Sequence, residues 1–173
     1  MNVIGVTGWS GSGKTTLVVN LLPELIGRGV SVSTMKHTHH NFEIDRPGKD
    51  SYRHREAGAN EVLLGSARRW ALLHEVRDGS ETSIEDLIER MTPVDLLLIE
   101  GFKSENHVKI EVHRSSVGSP LLYHEDPTIV AVASDQALPD MILPVLDLND
   151  VAGIADFIVD LCGIEEKVVN GAA

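Results

Sequence analysis

Near the amino terminus, Gly8-Trp9-Ser10-Gly11-Ser12-Gly13-Lys14-Thr15 carries the spacing G-x-x-x-x-G-K-[ST]. Residues of these types in this order suit one task, the holding of a polyphosphate. Small residues let the main chain curl until successive N–H groups point inward, and a helix that starts where the loop ends adds the positive end of its dipole. Lys14 is then expected at the β and γ phosphates, with the Thr15 hydroxyl as a Mg²⁺ ligand. Such a loop works only between a strand and a helix.

Phosphate-loop sites also need an acid at the carboxyl end of a neighbouring buried strand, to hold the metal directly or through water. Glu100 meets this requirement, because it follows the apolar run Leu96-Leu97-Leu98-Ile99. The longer Glu, where Asp is usual, leaves two further roles open: orienting an attacking water, or capping the strand's exit. Lys36-His37-Thr38-His39-His40 follows the second predicted strand and should emerge at the same sheet edge as the phosphate loop. No Cys or further His stands at zinc-ligand spacing, so Lys36 and His37 are read as a polar rim beside the nucleotide. Asp45-Arg46-Pro47-Gly48-Lys49-Asp50-Ser51 offers carboxylates for the metal's water shell and cations, Lys49 among them, for an anionic ligand. Guanine presents N1–H and N2–H₂ side by side, which one carboxylate can accept together. The N-K-x-D guanine motif is absent, and Asp135, at the end of a late buried strand, is the candidate acceptor, with Asp147 and Asp150 as competitors.

The elements that must position these groups alternate between apolar β-prone runs and helical patterns. Strands are expected at Asn2 to Val6, Val30 to Met35, Asp95 to Ile99, Val108 to Val112, Thr128 to Ala133 and Pro144 to Leu148. Of these, Val108 to Val112 alternates and reads as half exposed, and the two after it read as buried. Helices are expected from Gly13 to Arg28, through Pro23, from Ser51 to Ala57, from Ser83 to Met91, and after the capping residue Asp150. In the last of these Val151, Ile154, Ile158 and Leu161 should share a face. Glu61 to Leu64 and Trp70 to Val76 read as a strand pair. The expected fold is α/β: a phosphate-loop NTPase with a mostly parallel twisted sheet flanked by helices and an added antiparallel pair, in one domain spanning residues 1–173.

Fifteen Lys and Arg against twenty-six Asp and Glu give a net charge of −11, which argues against nucleic acid bound on a broadly basic face. The stretch from Lys36 to Arg69 is the exception, with seven cations, five anions and four of the eight histidines, and it points to an anionic ligand. No apolar run reaches the eighteen or so residues that cross a bilayer, and the amino terminus lacks the pattern of a secretory signal, so a cytoplasmic protein is expected. Cys162 stands alone, which excludes an internal disulfide and suggests a small buried hydrophobe.

Taken with the phosphate loop, the string from Lys36 to Ala59, Leu97-Leu98-Ile99-Glu100-Gly101-Phe102-Lys103 and Ala131-Val132-Ala133-Ser134-Asp135 resemble one family. It is the molybdopterin-guanine dinucleotide biosynthesis protein B (MobB) family of small phosphate-loop GTPases, and the likeness runs from Val3 to Phe157. The resemblance implies a homodimer that binds GTP with Mg²⁺, hydrolyses it weakly, and assists the guanylyltransferase that joins GMP to molybdopterin. It implies that Gly11, Ser12, Gly13, Lys14, Thr15 and Thr16 hold phosphates, that Thr15 and Glu100 hold Mg²⁺, and that Asp135 faces guanine. Glu61 to Val76 is the expected dimer contact. A small-molecule kinase is the alternative, with Glu100 or Asp50 taking the acceptor's proton and the loop from Lys36 to Arg55 binding the acceptor.

Overall fold

A computed structural model describes residues 1–38, 42 and 44–166. In chain order the elements are β1 (Asn2–Thr7), α1 (Lys14–Gly27), β2 (Val32–Lys36), α2 (Asp50–Glu56), β3 (Glu61–Gly65), β4 (Trp70–His74), α3 (Ile84–Glu89), β5 (Leu96–Glu100), β6 (Lys109–His113), β7 (Ile129–Ser134), β8 (Val145–Asp147) and α4 (Val151–Cys162), with short 3-10 turns at Ser115–Val117 and Leu122–His124. They form two compact units, Met1–His37 with Thr92–Ala173, and Thr38–Met91.

The first unit is built on a six-stranded sheet in the order β2-β5-β1-β6-β7-β8, and every neighbouring pair is parallel. Parallel pairing sends all six carboxyl ends to one edge, where an open α/β sheet places its ligands. Strand residues alternate between faces, so Ile4, Val6, Leu96, Leu98, Ile110, Val112, Ala131 and Ala133 form one apolar layer. Leu17, Val18, Leu21 and Leu25 of α1 and Ile154, Ala155 and Ile158 of α4 join that layer in a single core. Each fully buried Leu or Ile there contributes roughly 1.5–3 kcal/mol of transfer free energy. Pro23 lies inside α1 without ending it, and the helix closes at Gly29, whose φ of 79° turns the chain so that the Val30 N–H reaches back to the Leu25 carbonyl at 3.1 Å. Arg28 then ties α1 to α4 through Glu24, Asp156 and Glu166.

Several elements depart from expectation in burial rather than in type. β6 is buried on both faces, although its alternating sequence predicts a half-exposed strand. The reason is pairing: the buried Lys109 ammonium donates to Thr128 Oγ1 at 2.7 Å, to Asp126 Oδ2 at 3.0 Å and to the Glu105 carbonyl. Likewise the Glu111 carboxylate accepts the N–H groups of Leu122 at 2.8 Å and Tyr123 at 3.0 Å. A buried charge survives when its hydrogen bonds are complete. β8 is an edge strand with Val145 exposed rather than a buried strand. In α4 the buried set is Ile154, Ala155, Ile158 and Val159, whereas Leu161 is 44 % exposed. Cys162 is half-buried, and burial raises its thiol pKa.

The second unit holds α2, the antiparallel pair β3–β4 and α3. Its strand pair and both short helices stand where the sequence predicts them. Ser83 caps α3 by accepting the Asp86 N–H at 3.1 Å. The strand pair shows one open apolar face, since Leu63, Leu72 and Trp70 lie on the same side in register and are 66 %, 45 % and 69 % exposed.

Burial raises the Glu111 pKa above the usual carboxylate value, against the lowering pull of its two backbone N–H partners. A carboxyl that holds its proton more tightly when folded favours the fold below its unfolded pKa and loses that contribution as pH rises through the folded value. Glu111→Gln cannot ionise. Its stability relative to the native chain, read from urea midpoints, should therefore improve steadily from pH 4 upward and level off once Glu111 is fully ionised.

Candidate nucleotide-binding site

The loop between β1 and α1 is shaped by three glycines with positive φ, Gly8 at 141°, Gly11 at 80° and Gly13 at 99°. Gly8 is the most constrained, because a Cβ there would stand 2.5 Å from the Val112 carbonyl oxygen and 2.8 Å from Ser12 Oγ. The Ser12 N–H closes a turn onto the Trp9 carbonyl at 3.2 Å, and the Leu17 N–H onto Gly13 at 2.9 Å begins the helix. Ser12 itself is buried, and its hydroxyl has no hydrogen-bond partner among the described residues. Gly13 occupies the N-cap without a side-chain cap, so the first N–H groups of α1 are left to other acceptors.

Lys14 folds back along this curl and donates to the carbonyls of Gly8 at 3.0 Å and Trp9 at 2.8 Å. Burial lowers its pKa first, with the charges of Lys103 and Lys36 adding to the effect and Glu100 opposing it. One helical position on, the Thr15 hydroxyl donates to Glu100 Oε1 at 2.7 Å. The same carboxylate oxygen takes the Lys36 ammonium at 3.0 Å, and Lys36 Nζ stands 3.5 Å from Thr15 Oγ1. Strand register explains the meeting, since Glu100 pairs with Lys36 of β2 on one side and with Val6 of β1 on the other. Thr15 and Glu100 thus supply two hard oxygens side by side, a donor set that fits Mg²⁺, which takes one or two protein oxygens and completes its shell with water and phosphate. Thr16 follows, exposed in the first turn of α1.

His37 comes next on β2's exit, with its N–H on the Glu100 carbonyl at 2.9 Å and its ring stacked on Phe102 at 4.4 Å between centroids. His39 and His40 lie outside the described residues. Lys49 and Asp50 open α2 in the second unit, both exposed, with Lys49 at the N-cap. Asp45 is committed to Arg55 at 3.2 Å and nearly inaccessible, which removes it from the carboxylates expected to serve a metal's water shell.

Beyond β7 and β8 lies a cavity of about 510 Å³ lined by Ser134, Asp135, Leu138, Leu146, Asp147 and Asn149. The Asp135 carboxylate accepts the Ser115 N–H at 2.9 Å and its hydroxyl at 3.3 Å, and the first of these bonds leads the lowering of its pKa. Asp150 caps α4 by accepting the Gly153 N–H at 3.0 Å, so that competitor is accounted for. Asp147 lines the cavity and accepts from Asn149.

Two neighbours of the loop, Arg114 and Lys103, escaped the sequence reading. Arg114 donates through Nε to the Ser12 carbonyl at 3.3 Å, lies against Gly13, and stands 4.0 Å from Asp135. Trp9 donates its indole N–H to the Pro120 carbonyl at 2.7 Å, and Lys103 Nζ sits 4.8 Å from the centre of the Trp9 ring. The available signal was positional: Arg114 directly follows a sheet strand, and Lys103 stands three residues after Glu100.

Residues 3–135 match the family described as molybdopterin guanine dinucleotide synthesis protein B. The chain belongs to the MobB family. It is 44% identical over 161 residues to the molybdopterin-guanine dinucleotide biosynthesis adapter protein of Escherichia coli, covering 91% of each chain. It is also 44% identical over 158 residues to the adapter protein of the same name from Haemophilus influenzae, covering 90% of this chain and 86% of that one. Its fold is similar to the crystal structure of Bacillus subtilis MobB, with a TM-score of 0.73 at 24% identity, over 92% of this chain and 97% of that one. The sheet is that of a phosphate-loop NTPase, with the antiparallel pair added.

Gly8→Ala tests the curl directly. The added methyl would meet the Val112 carbonyl and a φ that side chains rarely adopt. It should lower stability by about 1–3 kcal/mol, read as a fall in the thermal midpoint.

Proposed function

We propose that this MobB-family chain binds GTP with Mg²⁺ and acts as an adapter in molybdopterin guanine dinucleotide biosynthesis. Its partner is the guanylyltransferase that attaches GMP to molybdopterin. The observation that carries the reading is the meeting of Thr15 and Glu100 at 2.7 Å beneath a glycine curl whose N–H groups open a helix. A triphosphate there takes backbone N–H groups of Gly11, Gly13 and Lys14 and those of Thr15 and Thr16 at the helix start, while the Ser12 N–H is held by the Trp9 carbonyl. Lys14 neutralises the β and γ phosphates. Lys36 adds to the positive rim, with His37 beside it on the exit of β2. Thr15 and Glu100 hold Mg²⁺, which when bound draws charge from the phosphate oxygens. Hydrolysis is slow in this reading, because Arg114, the arginine at the loop, is already committed to the Ser12 carbonyl rather than to a phosphate. Glu100 is the carboxylate available to orient water.

Asp135 lines the cavity at the carboxyl ends of β7 and β8, where the base of a nucleotide on the loop belongs. Asp135→Asn keeps an acceptor for the Ser115 N–H but cannot accept two guanine N–H groups together. The preference for GTP over ATP should therefore narrow, and an unchanged preference assigns the base to another residue, with Asp147 first. Lys14→Ala should weaken GTP binding at least about tenfold with little change in thermal midpoint, measured by calorimetric titration. Equal affinities would defeat the assignment.

For self-association we propose a homodimer through the open face of β3–β4, on the strength of Leu63, Leu72 and Trp70 standing together in water. Leu72→Glu should shift the sedimentation coefficient from dimer to monomer. Capture of the guanylyltransferase by the immobilised chain, stronger with GTP than without nucleotide, tests the adapter role against that of a kinase. A kinase would instead consume nucleotide in response to a small acceptor.

A further inference from the structure

We propose that Lys103 is a second triphosphate cation, perched on the face of Trp9 beside the phosphate loop, and that it reads the terminal phosphate of the nucleotide. The proposal rests on the nucleotide reading above and adds a residue to it.

Trp9 is the second residue of the phosphate loop, exposed by a little over a third, and its indole N–H is fixed on the Pro120 carbonyl at 2.7 Å. That bond sets the plane of the ring. Over the ring lies the Lys103 ammonium, 4.8 Å from its centre, within reach of the attraction between a cation and the indole face. The chain is steered there deliberately. Directly after Glu100 come two residues with positive φ, Gly101 at 103° and Phe102 at 50°, and they turn the main chain sharply at the sheet edge. Phe102 is a bulky residue in a conformation it rarely adopts, and such strain persists where surroundings over-determine it. Here the His37 ring, stacked at 4.4 Å, supplies that restraint.

Lys14 donates to the carbonyl of Trp9, the same residue whose ring carries the Lys103 ammonium. Two ammonium groups thus gather at Trp9, Lys14 on its carbonyl and Lys103 on its ring, and an anion between them would reconcile their like charges. The terminal phosphate of a nucleoside triphosphate is such an anion, since it carries more charge than Lys14 alone neutralises. An indole face holds a cation by about 0.5–1 kcal/mol at an exposed site, weak enough for a phosphate to draw the ammonium away. Lys103 should therefore favour the triphosphate over the diphosphate.

The full chain carries two tryptophans, so Trp70→Phe leaves Trp9 as the only tryptophan, excited selectively on the red edge of its absorption. In that background, with Mg²⁺, GTP should change Trp9 emission more than GDP does, because the ammonium leaves the ring only for the terminal phosphate. Lys103→Met should cut GTP affinity about tenfold or more while GDP affinity moves less than about threefold, and Lys103→Arg should restore most of the preference. Equal losses for both nucleotides, or none for either, would overturn the proposal. A native chain that binds neither GTP nor GDP would overturn the nucleotide reading itself, a result distinguishable from loss of selectivity alone.

Discussion

Gly8 passes the end of β6 so closely that a single methyl group would meet the Val112 carbonyl oxygen, and the rest of the site is built outward from that passage. Because β1 and β6 are hydrogen-bonded neighbours, the chain leaving β1 has to clear the carbonyl at the end of β6 before it can turn. With no side chain it clears by curling, which buries Ser12, brings its N–H onto the Trp9 carbonyl and starts α1 at Lys14. The helix then rises at an angle that sets Thr15 beside Glu100. A loop relaxed by an ångström would break that meeting and free the helix N-terminus to point elsewhere.

The all-parallel sheet decides which side chains join the loop. Each strand ends at the same edge, so the residues closing β2, β5, β6 and β7 stand in a row across it: Lys36, Glu100, then Arg114 just past β6, then Asp135 just past β7. Charge alternates along that row, and each member is held by its neighbour or by the loop. Lys36 is on Glu100, Arg114 is on the Ser12 carbonyl, and Asp135 is on Ser115. No long-range folding device is needed to assemble them, because register alone does it.

Much of this was legible because the relevant residues obey local rules. The glycine curl with Lys14 and Thr15 has one structural use, an apolar run such as Leu96 to Ile99 can only be a strand buried on both faces, and Asp150 and Ser83 announce their helices by capping. What stayed hidden depends on partners distant in sequence. Lys109 and Glu111 read as solvent-facing because nothing in Val-Lys-Ile-Glu-Val reveals that Asp126, Thr128 and two backbone N–H groups will complete their hydrogen bonds. Arg114 and Lys103 were visible as letters but not as neighbours of the loop, since their positions follow from a crossover and from the strained turn at Phe102. The place of Asp135 after β7 was legible, whereas its bond to Ser115 required the structure. Exposure of the β3–β4 face and of Leu161 was equally hidden, because apolar spacing marks an apolar face without saying what covers it.

The cations of the site belong to a chain whose net charge is −11, so the binding field is local rather than global. Each cation rests on a partner that a polyphosphate can outbid: Lys14 on two neutral carbonyls, Lys103 on an indole face, Arg114 on a carbonyl, and Lys36 on one carboxylate that hard divalent ions also seek. Neutral partners keep the side chains ordered without cancelling their charge. The depressed pKa of Lys14 has the same origin, since burial and the nearby ammonium of Lys103 make its charged form costly until an anion arrives. By linkage, an anion bound there and a proton held on Lys14 stabilise one another, so order in the loop and affinity for phosphate arise from the same arrangement of charge.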